Sequence, residues 1–142
     1  METYQIEKDI SVICIKAETF PAGIMAAHQQ LHEITGNDAE RKYFGISYPE
    51  KPGHIIYKAA ASEKYEGESV KLNCENFIIR KGNYKSIFIK DFMNNIPAIG
   101  NAFQQLLHEP NIDPGGYCLE MYEGENDVRC MVPLSSFNHS QS

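Results

Sequence analysis

The sequence has no cluster of Lys and Arg and no long apolar run, and each absence excludes a class of function. Thirteen basic residues against nineteen acidic ones give a net charge of −6, so a polyphosphate backbone finds no basic patch to bind. The longest apolar runs, such as FIIR and SIFI, are far shorter than the roughly 20 residues of a membrane helix. We therefore expect neither direct nucleic-acid binding nor membrane association.

The sequence also lacks paired cysteines, a signal peptide and a phosphate-binding glycine loop. No CxxC pair occurs among the cysteines, and His28 and His32, spaced as one turn of helix, have no third ligand nearby, so we expect structural histidines rather than a metal site. The first ten residues have neither a basic region nor an apolar one. We therefore expect a reduced cytoplasmic protein without metal or cofactor. The four cysteines are Cys14, Cys74, Cys118 and Cys130.

What is present indicates one globular domain of residues 1–142. The chain is 42% hydrophobic and 23% charged, which is typical of a soluble protein with a proper core. Ile10–Ala17 is rich in β-branched residues and predicts a strand. A helix is expected from Phe20–Pro21 to about Thr35, ended by Gly36–Asn37. Strands at 41–48 and 54–62 follow.

The second half repeats this order. Residues 75–81 and 84–90 predict two strands joined as a hairpin by Gly82–Asn83, and a helix begins at Asn94 or Asn95. A closing hairpin is predicted from 117–122 and 128–133. The repeats span about 8–65 and 75–134, with a frayed tail at 135–142. We therefore predict an α+β fold of duplicated β-α-β-β units, forming one mixed or antiparallel sheet with both helices on one face and a ligand groove on the other.

Glu120 interrupts an otherwise apolar strand. Side chains alternate across a strand, so Cys118, Glu120 and Tyr122 share one face, and Leu119 and Met121 share the other. Because Leu119 and Met121 are the obvious core pair, we expect them to pack beneath the helices. That assignment places Glu120 on the face without helices.

The turn EGEND sets the expected register of the closing hairpin, with Tyr122 opposite Val128 and Glu120 opposite Cys130. A carboxylate among such apolar and aromatic neighbours loses hydration, and a cationic ligand would offset that cost. Aromatic faces attract the same cation. The alternatives are a solvated surface glutamate and a glutamate paired with Arg129, Arg80 or Lys58.

The closing motif resembles the GyrI-like small-molecule-binding family, which includes the effector-binding domains of multidrug-sensing transcription activators. Leu119–Tyr122 and Met131–Leu134 match its closing pattern, FGISYPEKPG at Phe44–Gly53 resembles its segment after the first helix, and the resemblance spans about residues 4–134. It implies that Glu120 contacts cationic, aromatic ligands in a central groove. The remaining ligand-binding candidates, chosen by location and alternation, are Cys118, Tyr122, Tyr43, Tyr48 and Tyr57.

Three functions are consistent with this resemblance. The first is binding of cationic, apolar small molecules for drug sensing or sequestration; a role in transcription would need a partner chain, because the first strand begins within about ten residues and leaves no room for a DNA-binding domain. The second is hydrolysis of cyclopropane-containing natural products, with Glu120 activating water and Tyr122 or Tyr48 donating to the departing oxygen. The third is a protein-interaction role, such as binding and inhibiting gyrase.

Overall fold

The computed structural model describes residues 1–36 and 40–135; Asn37 and the predicted tail beyond Ser135 lie outside them. Within these residues no helix is long and apolar enough to cross a membrane. The helices are α1 (Ile24–Thr35), α2 (Glu68–Lys71) and α3 (Pro97–Leu106). The strands are β1 (Glu2–Ile6), β2 (Ile10–Lys16), β3 (Tyr43–Lys51), β4 (His54–Ser62), β5 (Glu75–Ile79), β6 (Gly82–Ile89), β7 (Cys118–Glu123) and β8 (Asp127–Pro133).

The chain forms two compact units. The first unit, residues 9–80, has a sheet in the order β3-β4-β2-β5, and the second, residues 1–8 with the chain from 81 onward, has a sheet in the order β1-β6-β8-β7. Neighbouring strands within each unit are antiparallel. The α+β class and the duplicated order, β2-α1-β3-β4 and β6-α3-β7-β8, are confirmed.

The edge strand of each unit differs from the prediction. The hairpin expected from residues 75–81 and 84–90 is wrong, because β5 pairs with β2 while β6 pairs with β1 and β8. Strand β1 is not among the predicted strands. Both edges of β6 are occupied, by β1 and by β8, so β5 cannot pair with it. Gly82–Asn83 is therefore the start of β6 and not a hairpin turn.

Each long helix packs on one face of its own sheet. In the first unit, Ala27 and Leu31 of α1 contact a buried cluster that includes Ile13 and Ala59. Helix α1 begins at Ile24 rather than at Phe20, because residues 19–23 form turns closed by the Gly23 amide donating to the Thr19 carbonyl oxygen. The predicted helix therefore exists but is shorter at its amino end.

In the second unit, Ala102 and Leu106 of α3 pack on Val128, Cys130 and Val132. Ile96 and Leu107, which flank this helix, are 50% and 54% exposed.

A buried ion pair anchors the segment between β4 and β5. The Arg41 guanidinium donates two hydrogen bonds to the Glu68 carboxylate, from Nη1 at 2.8 Å and from Nη2 at 2.6 Å, and the two side chains are only 6% and 8% exposed. Arg41 Nη1 also donates to the Ser62 carbonyl oxygen at 2.9 Å, and the Lys64 amide donates to Glu68 Oε1 at 2.8 Å. This polar linkage therefore holds the start of α2 against the end of β4.

Gly116, just before β7, sits where no larger residue fits. A Cβ there would lie 2.6 Å from Pro133 Cγ and 3.1 Å from the Asp113 carbonyl oxygen. We expect Gly116→Ala to lower the free energy of unfolding by about 1–3 kcal/mol through this overpacking, measured by urea denaturation. Gly115→Ala is the matched control, since its Cβ would meet only Asp113 Oδ1 at 3.6 Å. Equal stability of the two variants would contradict the prediction.

Candidate functional site

Glu120 lies on the face of the second unit that α3 covers. Its face-mates Cys118 and Tyr122 both pack against the cluster formed by α3 and β8, and strand alternation places Glu120 with them. The expectation that Glu120 occupies the helix-free face is therefore wrong. Leu119 and Met121 are buried on the opposite face, at 0% and 6% exposure, so both faces of this strand are covered and apolarity alone did not identify the helix side.

The predicted register of the closing hairpin is confirmed. Glu120 stands directly opposite Cys130, and Tyr122 stands opposite Val128. Cys130 is completely buried, and burial, reinforced by the Glu120 charge, raises the pKa of its thiol to about 12. The half-buried Glu120 side chain thus lies beside a neutral thiol.

The Tyr122 hydroxyl donates a 2.6 Å hydrogen bond to Glu120 Oε1. Two residues apart on one strand, the side chains stand side by side on the same face. The Tyr122 ring in turn packs against Phe92, with ring centroids 5.6 Å apart and an interplanar angle of 44°. Phe92 begins the 3₁₀ turn Phe92–Asn94 ahead of α3. Phe92 is not among the predicted site residues, because no sequence pattern links this turn to β7.

In the first unit, Tyr43 and Tyr57 lie on the face that α1 covers, since both contact the cluster beneath that helix. His28 Nε2 is 2.8 Å from the Tyr57 hydroxyl, and the His32 ring stacks on Tyr43 with centroids 4.4 Å apart. Burial, with His32 nearby, lowers the pKa of His28 to about 4, so His28 is neutral at pH 7.

The two histidines of α1 therefore contact tyrosine rings. In the described part of the chain, no group of three or more His, Cys, Asp or Glu side chains could hold a metal ion.

Tyr48 lies on the opposite face of the first unit from Tyr43 and Tyr57. Its ring stacks on Phe77 at 6.4 Å, and Lys58 Nζ lies 5.6 Å from the Tyr48 ring centroid. Lys58 also pairs with Glu75 at 3.2 Å. Tyr48 thus already faces a cation supplied by the chain.

The second unit has the same arrangement on its own helix-free face. The Arg129 guanidinium carbon lies 5.0 Å from the Tyr4 ring centroid and 5.1 Å from that of Phe88, while Arg129 bonds to Glu123 at 2.9 Å and to Glu2 at 3.3 Å. Arg129 and Lys58, considered above as partners of Glu120, thus bind other carboxylates. Four rings of the helix-free faces thus contact cations of the protein itself: Tyr48, Phe77, Tyr4 and Phe88.

An α+β fold with two β-α-β-β units is shared by several solved structures, although no protein-family model and no curated protein matches the sequence. The Vibrio cholerae integron cassette protein VCH_CASS2 has a TM-score of 0.66 at 12% identity, covering 94% of each chain. SAV2435, solved bound to tetraphenylphosphonium, has a TM-score of 0.64 at 14% identity, covering 97% of this chain and 95% of its own.

A third structure is a putative bacterial transcription regulation protein from Staphylococcus aureus MU50. It has a TM-score of 0.59 at 13% identity, covering 94% of this chain and 97% of its own. At these identities the likeness to all three structures shows a common fold.

Proposed function

We propose that the protein binds cationic, aromatic small molecules at Glu120, as a sensing or sequestering module of the GyrI-like type. The observation that carries the proposal is the half-buried Glu120 carboxylate on the helix-covered face of β7, hydrogen-bonded by Tyr122 and flanked by thiols. Glu120, Tyr122 and Cys118 form the proposed site in the second unit. Tyr43 and Tyr57 stay candidates for ring contacts on the α1 face of the first unit.

The electrostatics favour a cationic ligand over a neutral or anionic one. Partial burial deprives a carboxylate of water, and a cation placed beside it offsets that loss. The faces of the Tyr122 and Phe92 rings carry the negative side of their quadrupoles and attract the same charge. A cation with a large apolar surface would gain from both contacts.

Two of the structural neighbours support this chemistry. Tetraphenylphosphonium, the ligand in SAV2435, is a cation surrounded by four phenyl groups, which is the class of molecule that an acidic group beside aromatic rings selects. The Staphylococcus aureus neighbour is described as a transcription regulation protein, which agrees with a sensing role. Both likenesses concern the fold, so the proposal depends on Glu120 itself.

Glu120→Gln tests the proposal. We expect it to weaken binding of tetraphenylphosphonium by about 1–3 kcal/mol, the scale of one charge-assisted contact, in isothermal titration calorimetry. The matched control is Glu125→Gln, which removes the same charge from the exposed turn of the same hairpin and should leave the affinity within a factor of two. Equal losses in the two variants would mean that only net charge matters, and no loss in Glu120→Gln would overturn the proposal.

A further inference from the structure

We infer that Tyr122 is the positioning residue of this site: its hydroxyl fixes the Glu120 carboxylate on the face of β7 and keeps it ionised for a cation. The inference rests on the proposed function, because it describes how that site is prepared for its ligand. Tyr122 then acts on the ligand indirectly, by positioning Glu120, and not only as an aromatic ring that contacts the ligand.

The hydrogen bond itself favours the charged carboxylate. Tyr122 is the donor and Glu120 Oε1 the acceptor, and their 2.6 Å separation is in the range of charge-assisted O–H···O⁻ bonds. A donor directed at a carboxylate stabilises its ionised form relative to its protonated form. Tyr122 thus opposes the effect of partial burial, which favours the proton.

The Tyr122 ring is itself held in place from the connection between β6 and α3. The Phe92 amide donates to the Asn126 carbonyl oxygen at 3.0 Å, and the Asp91 amide donates to Asp127 Oδ1 at 2.9 Å. These two bonds fasten the start of the 3₁₀ turn to the turn of the β7–β8 hairpin. Phe92 is thereby brought against Tyr122, and the phenol is directed along the strand toward Glu120.

The titratable groups around Glu120 can be named for the described strands and for α3. The titratable side chains that share the helix-covered face of β7, β8 and β6 are Cys118, Tyr122, Cys130 and, by strand alternation, Lys85. Helix α3, with the sequence PAIGNAFQQL, adds none. Glu120 stands next to Tyr122 and opposite Cys130, whereas Lys85 lies two strands away, and the Tyr122 phenol donates directly to the carboxylate.

Tyr122→Phe removes the donor and keeps the ring, and the expected result is a rise of about one pH unit in the midpoint of Glu120 protonation. The midpoint is measured by carbon-13 NMR of the protein with carboxyl-labelled glutamate. The Glu120 signal is assigned as the one that is missing from the spectrum of Glu120→Gln. The pH at which tetraphenylphosphonium affinity falls to half should rise by the same amount. The control is Tyr84→Phe, which removes a buried hydroxyl from the opposite face of the same sheet. That hydroxyl is hydrogen-bonded to the Tyr117 hydroxyl at 2.6 Å. Tyr84→Phe should leave the midpoint of Glu120 protonation unchanged.

Phe92→Leu is the second variant, because it loosens the Tyr122 ring and leaves its hydroxyl in place. We expect a smaller rise of the Glu120 midpoint in the same direction. If the midpoint of Glu120 protonation is unchanged in Tyr122→Phe, the inference is overturned. If Tyr122→Phe does not fold, an unchanged midpoint in Phe92→Leu overturns it instead. The NMR titration needs no ligand, so a wild-type protein that binds no cation would contradict the proposed function alone.

Discussion

Replacing Arg41 with Met is expected to lower the free energy of unfolding by about 3–5 kcal/mol, the cost of removing one partner from a buried ion pair. Glu68 would keep its hydrogen bond from the Lys64 amide but lose both bonds from the guanidinium. A buried carboxylate without its cation must either stay charged in an apolar setting or take up a proton, and both options cost free energy. Urea denaturation at pH 7 measures the loss.

A double-mutant cycle separates the pair from its surroundings. Arg41→Met with Glu68→Leu removes both charges, and we expect this double variant to be more stable than Arg41→Met alone, because no uncompensated charge remains buried. Glu50→Gln is the control for a surface pair, since Glu50 and His54 are 55% and 52% exposed at 3.7 Å, and it should change stability by less than about 1 kcal/mol. A double variant as unstable as the sum of its singles would show that Arg41 and Glu68 act independently.

Local patterns predicted the parts of this fold that local physics determines. Strand alternation and the EGEND turn predicted both the face shared by Cys118, Glu120 and Tyr122 and the pairing of Glu120 with Cys130, and the structure has both. The sequence of β7 does not show which of its faces the helix covers, because the more buried face, that of Leu119 and Met121, is the one away from the helix. That decision depends on which residues of α3 approach the sheet.

Tyr48 shows a limit of a different kind. Tyr48 and Tyr43 are both predicted ligand-binding residues, yet they are five positions apart. An odd spacing along a continuous strand places two side chains on opposite faces. The structure has them on opposite faces, with Tyr48 beside Lys58 and Phe77. Alternation, applied strictly, would have excluded Tyr48 from the face that carries Tyr43.

The remaining omissions are contacts between distant parts of the chain. Arg41 and Glu68 are 27 positions apart, and Arg129 reaches Glu2 across 127 positions. Strand β1 becomes an edge strand only because it pairs with β6, more than 75 residues later. No periodicity in one sequence encodes such pairings, since each depends on how the completed sheets bring the segments together.

Acid is expected to destabilise the protein in two steps, and the upper step belongs to His28. Burial lowers the pKa of His28 from an ordinary value of 6.5 to about 4, so the unfolded chain binds the proton more tightly than the folded protein does. The stability that neutral His28 contributes is therefore complete above pH 6.5 and is lost as the pH falls to 4. This loss in the free energy of unfolding is about 3 kcal/mol.

Glu68 produces the lower step. Its hydrogen bonds from Arg41 outweigh the effect of burial and hold its pKa at about 2, against an ordinary value of 4.5. The stability that ionised Glu68 contributes is complete above pH 4.5 and is lost as the pH falls to 2, and the loss amounts to about 3 kcal/mol. Glu63 adds to this step, because hydrogen bonds from Ser11 and Ser69 outweigh burial and lower its pKa as well.

Variants assign each step to its residue. In urea denaturation at intervals from pH 7.5 to 3, His28→Gln should be less stable than wild type at pH 7 and should lose little further stability between pH 6.5 and 4. The exposed His54 supplies the control, and His54→Gln should follow the wild-type curve. Arg41→Met should flatten the step below pH 4.5 while keeping the one above it. A wild-type curve that stays level between pH 6.5 and 4 would contradict the assignment to His28, because a histidine held neutral by burial must oppose folding once the unfolded chain becomes protonated.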